Sequence, residues 1–225
     1  MIHLHEGERG FTYWRGQSAA RRMMEDAALA AGQIEAADVV YLSGITLAIL
    51  PPADRVALVG LCARARAAGK VVAFDPNIRP ALWENGETMR AAITTAAGTA
   101  SLVLPGRDDE VAAFGDEGPV GTLNRYLAAG AGIVVLKNGA GPVLTATATG
   151  DGWEEHATPV LDGPVVDTTA AGDAFNAAFL AAWLADGDLA AAVRAGQGVA
   201  ARTVQGHGAL VPAATEPRKD ARHVR

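Results

Sequence analysis

Residues 165–180, VVDTTAAGDAFNAAFL, put a carboxylate, Asp173, in the first turn of an apolar helix, behind a polar turn of small residues. A helix start made of small residues leaves its backbone N–H groups uncovered. With the positive end of the helix dipole, those donors form an anion site. A carboxylate beside such a site has a chemical use when the anion is a phosphoryl group in transfer, because it can take the proton of the attacking hydroxyl. The same residues also read as an ordinary helix start. Thr168 or Thr169 is then an N-cap, Gly172 a tight turn and Asp173 a dipole-compensating acid. The short pattern alone leaves both readings open.

Three further segments carry reactive side chains. FDPNIRPALW (74–83) leaves a strand end and, held extended by its prolines, presents Asp75, Asn77 and Arg79 in the same direction. The planar fork of Arg79 suits a carboxylate or a phosphate; the alternative is a polar loop leading into the next helix. FTYWRGQSAAR (11–21) puts Tyr13 and Arg15 on one strand face, a pair suited to a polyol or sugar acid, or else an edge strand with a snorkelling arginine. VVLKNGAG (134–141) ends a core strand at Lys137 and turns through Gly139 and Gly141. Either the ammonium and the turn amides lie near nucleotide phosphates, or the lysine simply emerges at the sheet edge. His3 and His5 share a strand face, but no second ligand pair has matching spacing, so no protein metal site is predicted. The Walker, dinucleotide-binding and nucleophile-elbow patterns do not occur.

The elements that must position these groups alternate strand and helix. Short strands are predicted at 1–6 and 10–15, a helix over 18–31 with Ser18 as its cap, a strand at 38–44 and a helix from Pro51 to Ala68. Strands at 70–75, 101–105 and 132–139 alternate with helices within 84–97, 107–114 and 119–129. Two antiparallel strands, 142–148 and 152–159, precede helices over 173–185 and 188–204. The order predicts an α/β fold: one mostly parallel sheet with helices on both faces, whose ligands bind beyond the carboxyl ends of the strands. Ser43, Gly44, Asp75, Pro105 and Lys137 to Gly139 all fall at such ends.

Bulk composition narrows the function. The chain has 225 residues, half of them hydrophobic, enough for one sizeable domain spanning 1–225. A net charge of −6 and only three lysines argue against a nucleic-acid partner. No apolar run is long enough for a membrane span, and the polar N-terminus does not resemble a secretory signal. The single cysteine, Cys62, excludes an internal disulfide and suits a cytoplasmic setting; it falls in an apolar helical pattern and reads as core.

Together these residues resemble the ribokinase-like (phosphofructokinase-B) family of carbohydrate kinases. DTTAAGDAF (167–175) is similar to the family's D-T-[TV]-G-A-G-D signature. Within the family, the chain most resembles the 2-keto-3-deoxygluconate kinases. The markers are Tyr13-Trp14-Arg15 followed by Ser18 to Arg21, the Asp75 to Arg79 loop with Trp83, and Leu104-Pro105 followed by the acidic Asp108–Glu110.

The resemblance implies ATP and magnesium as cofactors and a sugar acid as substrate, converted to its 6-phosphate. Asp173 would be the general base, and the amides of Ala170, Ala171 and Gly172 the anion hole. Tyr13, Arg15, Asp75, Asn77 and Arg79 would meet the substrate. Lys137, Gly139, Gly141 and Gly172 would lie along the nucleotide, with Gly206 and Gly208 near adenine. Two guanidinium groups, Arg15 and Arg79, favour an acid over fructose or ribose, the substrates of related kinases. A homo-oligomer is left open, as is a nucleotide-binding remnant without turnover. Ala170 stands where the broad family has glycine; its amide still donates, so the anion hole survives if φ stays negative there. Relatives carry a further N-terminal segment with the first sheet strands. Residues 1–16 are therefore expected to form part of a small β lid, with some central strands missing and strand edges and apolar surface exposed.

Overall fold

A computed structural model describes residues 2–5, 8–11 and 18–215 of the chain. Strands β1 (Ile2–His5) and β2 (Glu8–Phe11) pair antiparallel in a two-stranded sheet of their own, Ile2 opposite Phe11. The second strand is thus set earlier than the sequence predicts. Tyr13 and Arg15 fall outside the described residues.

The main sheet holds β3 (Val39–Ser43), β4 (Val71–Asp75), β5 (Leu102–Val103), β6 (Ile133–Leu136), β7 (Val143–Thr147) and β8 (Trp153–His156), in that spatial order. The first four strands are parallel; β7 and β8 are antiparallel, as their short connections require. Among the described residues β3 pairs with β4 alone. The helices are α1 (Ala27–Ala36), α2 (Gly44–Ile49), α3 (Pro52–Ala67), α4 (Gly86–Gly98), α5 (Arg107–Phe114), α6 (Gly118–Ala128), α7 (Ala171–Asp186), α8 (Leu189–Thr203) and α9 (Pro212–Thr215).

Two details depart from the sequence reading. The expected helix over 18–31 is broken: residues 19–22 form a 3₁₀ turn, and α1 starts afresh with Asp26 accepting from the Leu29 N–H. An Asp side chain that satisfies an orphan helix donor makes a better start than Ser18, whose hydroxyl caps nothing. The short helix α2 lies where a loop was expected, begun by Ser43 accepting from the Ile45 N–H.

Side chains alternate across the strands and fill two cores. On one face Leu42, Val72, Phe74, Val103, Val134 and Leu136 pack with residues of α2, α3, α4 and α6; Cys62 is wholly buried there, and burial pushes its thiol up to about 11. On the other face Ala73, Leu102, Leu104 and Val135 meet Phe175 and Phe179 of α7 and Val193 of α8. Asp75 follows Ala73 in this alternation, and Lys137 follows Val135. Strand period 2 therefore aims both polar groups toward α7. Burying a large apolar side chain contributes about 1.5–3 kcal/mol. Phe175 and Phe179, stacked 6.0 Å apart, thus fix the helix whose N-terminus the site needs.

Helix α5 is held by a charged cluster beneath it. Wholly buried Glu110 accepts from the Tyr126 hydroxyl at 2.8 Å and from Arg125 at 2.7 Å; Arg125 also pairs with Asp116 at 2.6 Å and stacks on Phe114. Burial pushes the Glu110 carboxyl up to about 7, outweighing the hydrogen bonds from Tyr126 and Arg125, which pull it down. The folded protein therefore holds this proton more tightly than the unfolded chain does. The stability it contributes is complete below the ordinary carboxyl range and is lost as pH rises through about 7. Against Glu110→Gln, the parent is expected to lose up to about 1.4 kcal/mol of relative stability per pH unit between pH 5 and 7. Urea unfolding of both proteins across that range measures it; parallel pH profiles would refute the assignment.

Candidate active site

Strands β4 and β6 flank the short β5, and Asp75, the last residue of β4, and Lys137, the residue after β6, make the polar floor of the site. Asp75 is 4% exposed. Its Oδ2 accepts from Lys137 Nζ at 3.1 Å and from Asn176 Nδ2 at 2.5 Å. Its Oδ1 accepts from the backbone N–H of Asn77 at 3.0 Å. That contact bends the loop, and Asn77 adopts φ +33°, which an asparagine tolerates better than most residues. The segment after β4 is therefore not uniformly extended, as the alternation of Asp75, Asn77 and Arg79 suggested. Arg79 turns to pair with Asp109 at 3.1 Å. The loop is pressed against the start of α2: a Cβ at Gly44 would stand 1.8 Å from the Pro76 carbonyl oxygen, so only glycine fits.

Lys137 is held by its backbone as well, donating its N–H to the Pro105 carbonyl and accepting from the Arg107 N–H. The turn that follows closes with Gly141 N–H donating to the Asn138 carbonyl at 2.7 Å, and Gly139 takes φ +55°. Both glycines are demanded by that turn. Gly139 needs the left-handed conformation, and a Cβ at Gly141 would collide with Asn138.

Above this floor stands the N-terminus of α7. A methyl group added at Gly172 would lie 3.7 Å from Lys137 Nζ, so the ammonium sits against the helix start. Asp173 is exposed in the first turn, and Asn176, one turn on, is buried beneath it on the same side. Asp167 is buried and structural: Oδ1 accepts from the Thr169 N–H at 2.8 Å and Oδ2 from the Gly208 N–H at 2.9 Å. It ties the loop after α8 to the turn that starts α7.

Ala170 is the N-cap of α7 and has φ +60°. The condition of a negative φ at this position is thus not met. The chain passes through the left-handed region to enter the helix, which explains why glycine suits this position. Alanine tolerates it at a cost of about 1–2 kcal/mol. Ala170→Gly is therefore expected to raise stability by about 0.5–1 kcal/mol, with a rise in Tm of roughly 1–3 °C. Thermal unfolding tests this, and a lower Tm would contradict the strain.

One cleft of about 690 Å³ gathers these groups. Asp75, Asn77, Arg79, Lys137, Gly139, Gly141, Ala170, Ala171, Gly172 and Asp173 all line it. Gly206 and Gly208 do not: Gly206 packs on Val211, and the Gly208 amide is taken by Asp167. Three polar contributors escaped the sequence reading. Asn176 was passed over inside an apolar helix, though a lone amide three residues after Asp173 was a signal. Tyr41 meets Asn176 at 3.1 Å, and burial, with the nearby Asp75 carboxylate, pushes its phenol up to about 12. Arg107, whose guanidinium reaches Asn138 at 3.3 Å, lines the cleft at the start of α5.

The arrangement defines a class: an open, mostly parallel α/β sheet whose anion-handling cleft lies at the strand carboxyl ends, under a helix N-terminus. The pfkB family of carbohydrate kinases matches residues 1–216, and the chain belongs to that family. The chain is 36% identical over 209 residues to the 2-dehydro-3-deoxygluconokinase of Haemophilus influenzae, covering 92% of this chain and 66% of that protein. It thus spans about two thirds of the length of this curated relative. Among solved structures, a PfkB protein from Polaromonas sp. JS666 superposes with a TM-score of 0.76 at 32% identity, over 91% of this chain and 66% of that one. A candidate ribokinase II from Escherichia coli, in complex with ATP and Mg2+, shares the fold with a TM-score of 0.73 at 20% identity, over 92% of this chain and 65% of that one.

Proposed function

We propose that this chain acts as one ATP-dependent kinase domain and transfers the γ-phosphoryl group to the terminal hydroxyl of 2-dehydro-3-deoxygluconate (2-keto-3-deoxygluconate), giving the 6-phosphate. The observation that carries the reading is Asp173 in the first turn of α7, on the same cleft as the Ala170–Gly172 amides and the Lys137 ammonium. Asp173 takes the proton from the hydroxyl as its oxygen bonds to the γ-phosphorus. The bond to the β–γ bridging oxygen breaks, and ADP leaves with that electron pair. The Ala170 and Gly172 amides and the ammonium offset the charge on the phosphoryl oxygens, while the Ala171 N–H, which donates to the Thr168 carbonyl at 3.2 Å, would have to turn from it to join them. Arg79 at the cleft rim, with Arg15, offers a guanidinium to the substrate carboxylate.

Among the described residues, no group of three or more His, Cys, Asp or Glu side chains is gathered to hold a metal. Magnesium brought by the nucleotide would need only one or two protein carboxylates beside phosphate oxygens and several waters. Asp108, which lines the cleft, is the carboxylate offered, with Asp109 beside it once Arg79 leaves its pairing for the substrate. When bound, the ion would neutralise charge on the phosphates. No helix among the described residues is long and apolar enough to cross a membrane, and a cytoplasmic setting suits such an enzyme.

The test is an ADP-release assay on the purified 225-residue chain with ATP, magnesium and, separately, 2-dehydro-3-deoxygluconate, fructose and ribose. Turnover that needs the sugar acid supports the reading. Turnover with a neutral sugar instead moves it to a fructokinase or ribokinase, and none in a folded sample removes kinase activity from this chain.

A further inference from the structure

Asn176 is 2% exposed and follows Phe175 in sequence, three residues before Phe179, in an otherwise apolar stretch of α7. A buried carboxamide is costly unless its hydrogen bonds are made. This one makes three. Its Oδ1 accepts from Lys137 Nζ at 3.0 Å, and its Nδ2 donates to Asp75 Oδ2 at 2.5 Å and to the Tyr41 hydroxyl at 3.1 Å. The partners fix which end is which, because an ammonium only donates and a carboxylate only accepts.

That assignment leaves two hydrogens over. Lys137 Nζ has three; Asp75 and Asn176 take two, and the third has no acceptor among the described residues. The ammonium lies against Gly172 at the start of α7. The Tyr41 oxygen is filled by the Asn176 donor, so its own proton is left to donate.

A lysine on a four-carbon stem with one carboxylate partner can pivot about that partner. A second, rigid acceptor on a different element removes the freedom. We propose that Asn176 is a positioning residue: bridging β4, β6 and α7, it holds the Lys137 ammonium at the α7 N-terminus with one hydrogen free for the transferring phosphoryl group. This rests on the kinase reading above and adds what aims its cation.

The test has two readouts. In the first, Asn176→Ala is expected to lower kcat about 10- to 100-fold, as small misplacements of a catalytic group do, with KM for sugar acid and ATP within about threefold. Lys137→Met lowers kcat further, and the double variant is no slower than Lys137→Met alone, because Asn176 acts through Lys137. Losses that multiply, or an unchanged kcat in Asn176→Ala, overturn the proposal.

The second readout needs no turnover. With three lysines in the chain, the Lys137 ammonium can be followed by 15N NMR. It is expected to be sharp and slowly exchanging in the parent and broadened in Asn176→Ala, with the rest of the NMR spectrum retained as the control that the variant folds. If the parent phosphorylates no sugar, the kinase reading fails and this signal alone decides the positioning. An identical Lys137 signal in parent and Asn176→Ala refutes it.

Discussion

Asp173→Asn is expected to lower kcat by about 10²- to 10⁴-fold, the range by which a positioned general base accelerates proton transfer. The substitution keeps the shape of the side chain and takes away its ability to accept the hydroxyl proton. It leaves the cleft floor of Asp75, Lys137 and Asn176 intact, because none of those contacts involves Asp173. ADP binding, measured by calorimetry, is therefore expected to persist. The fold should lose only the interaction of one carboxylate with the helix dipole, about 0.3–1 kcal/mol. Parent and variant are compared in the ADP-release assay. Equal kcat would remove Asp173 from the role of base and return it to dipole compensation.

The largest stability effect is expected at Arg125. This guanidinium lies between Glu110, whose side chain is wholly buried, and Asp116, whose side chain is 9% exposed. Arg125→Met keeps much of the stem volume and removes both ion pairs, leaving two carboxylates in a buried site. Breaking a buried pair from one side costs about 3–5 kcal/mol, because the remaining charge is left without compensation. For a protein of this size that corresponds to a fall in Tm of roughly 10 °C. The consequence reaches the cleft: Glu110 belongs to α5, whose Arg107, Asp108 and Asp109 line it. Thermal unfolding at pH 8, where Glu110 is charged, is the measurement. A Tm unchanged within 2 °C would show that the cluster does not hold α5.

Much of the candidate site was legible because it depends on local chemistry. The helix start at 170–173 needs no distant contact to declare itself: small residues, then an acid, then an apolar run. The strands ending at Asp75 and Lys137 announced themselves by runs of β-branched residues, and ligands collect at such ends. Where the reading failed, distant atoms decided. Residue type left the φ of Ala170 open, and the chain's entry into α7, tied by Asp167 to Gly208, takes the left-handed conformation. The extended loop expected after Asp75 ignored that the Asp75 carboxylate captures the Asn77 N–H and bends it. Gly206 and Gly208, which the resemblance puts near adenine, do not line the cleft. They are instead packed on Val211 and bonded to Asp167.

The sequence by itself determined the α/β alternation, the apolar faces of the strands and helices, and the acid at a helix start, because periodicity and capping act within a few residues. Only the tertiary structure decided that Asp75 and Lys137, 62 positions apart, form one ion pair beneath that helix, and that Asn176 and Tyr41 complete it. The reason is geometric. Strand period 2 fixes which face a side chain takes, but which side chains meet there is fixed by the order in which strands pair and by the packing of Phe175 and Phe179 that seats α7 on the sheet.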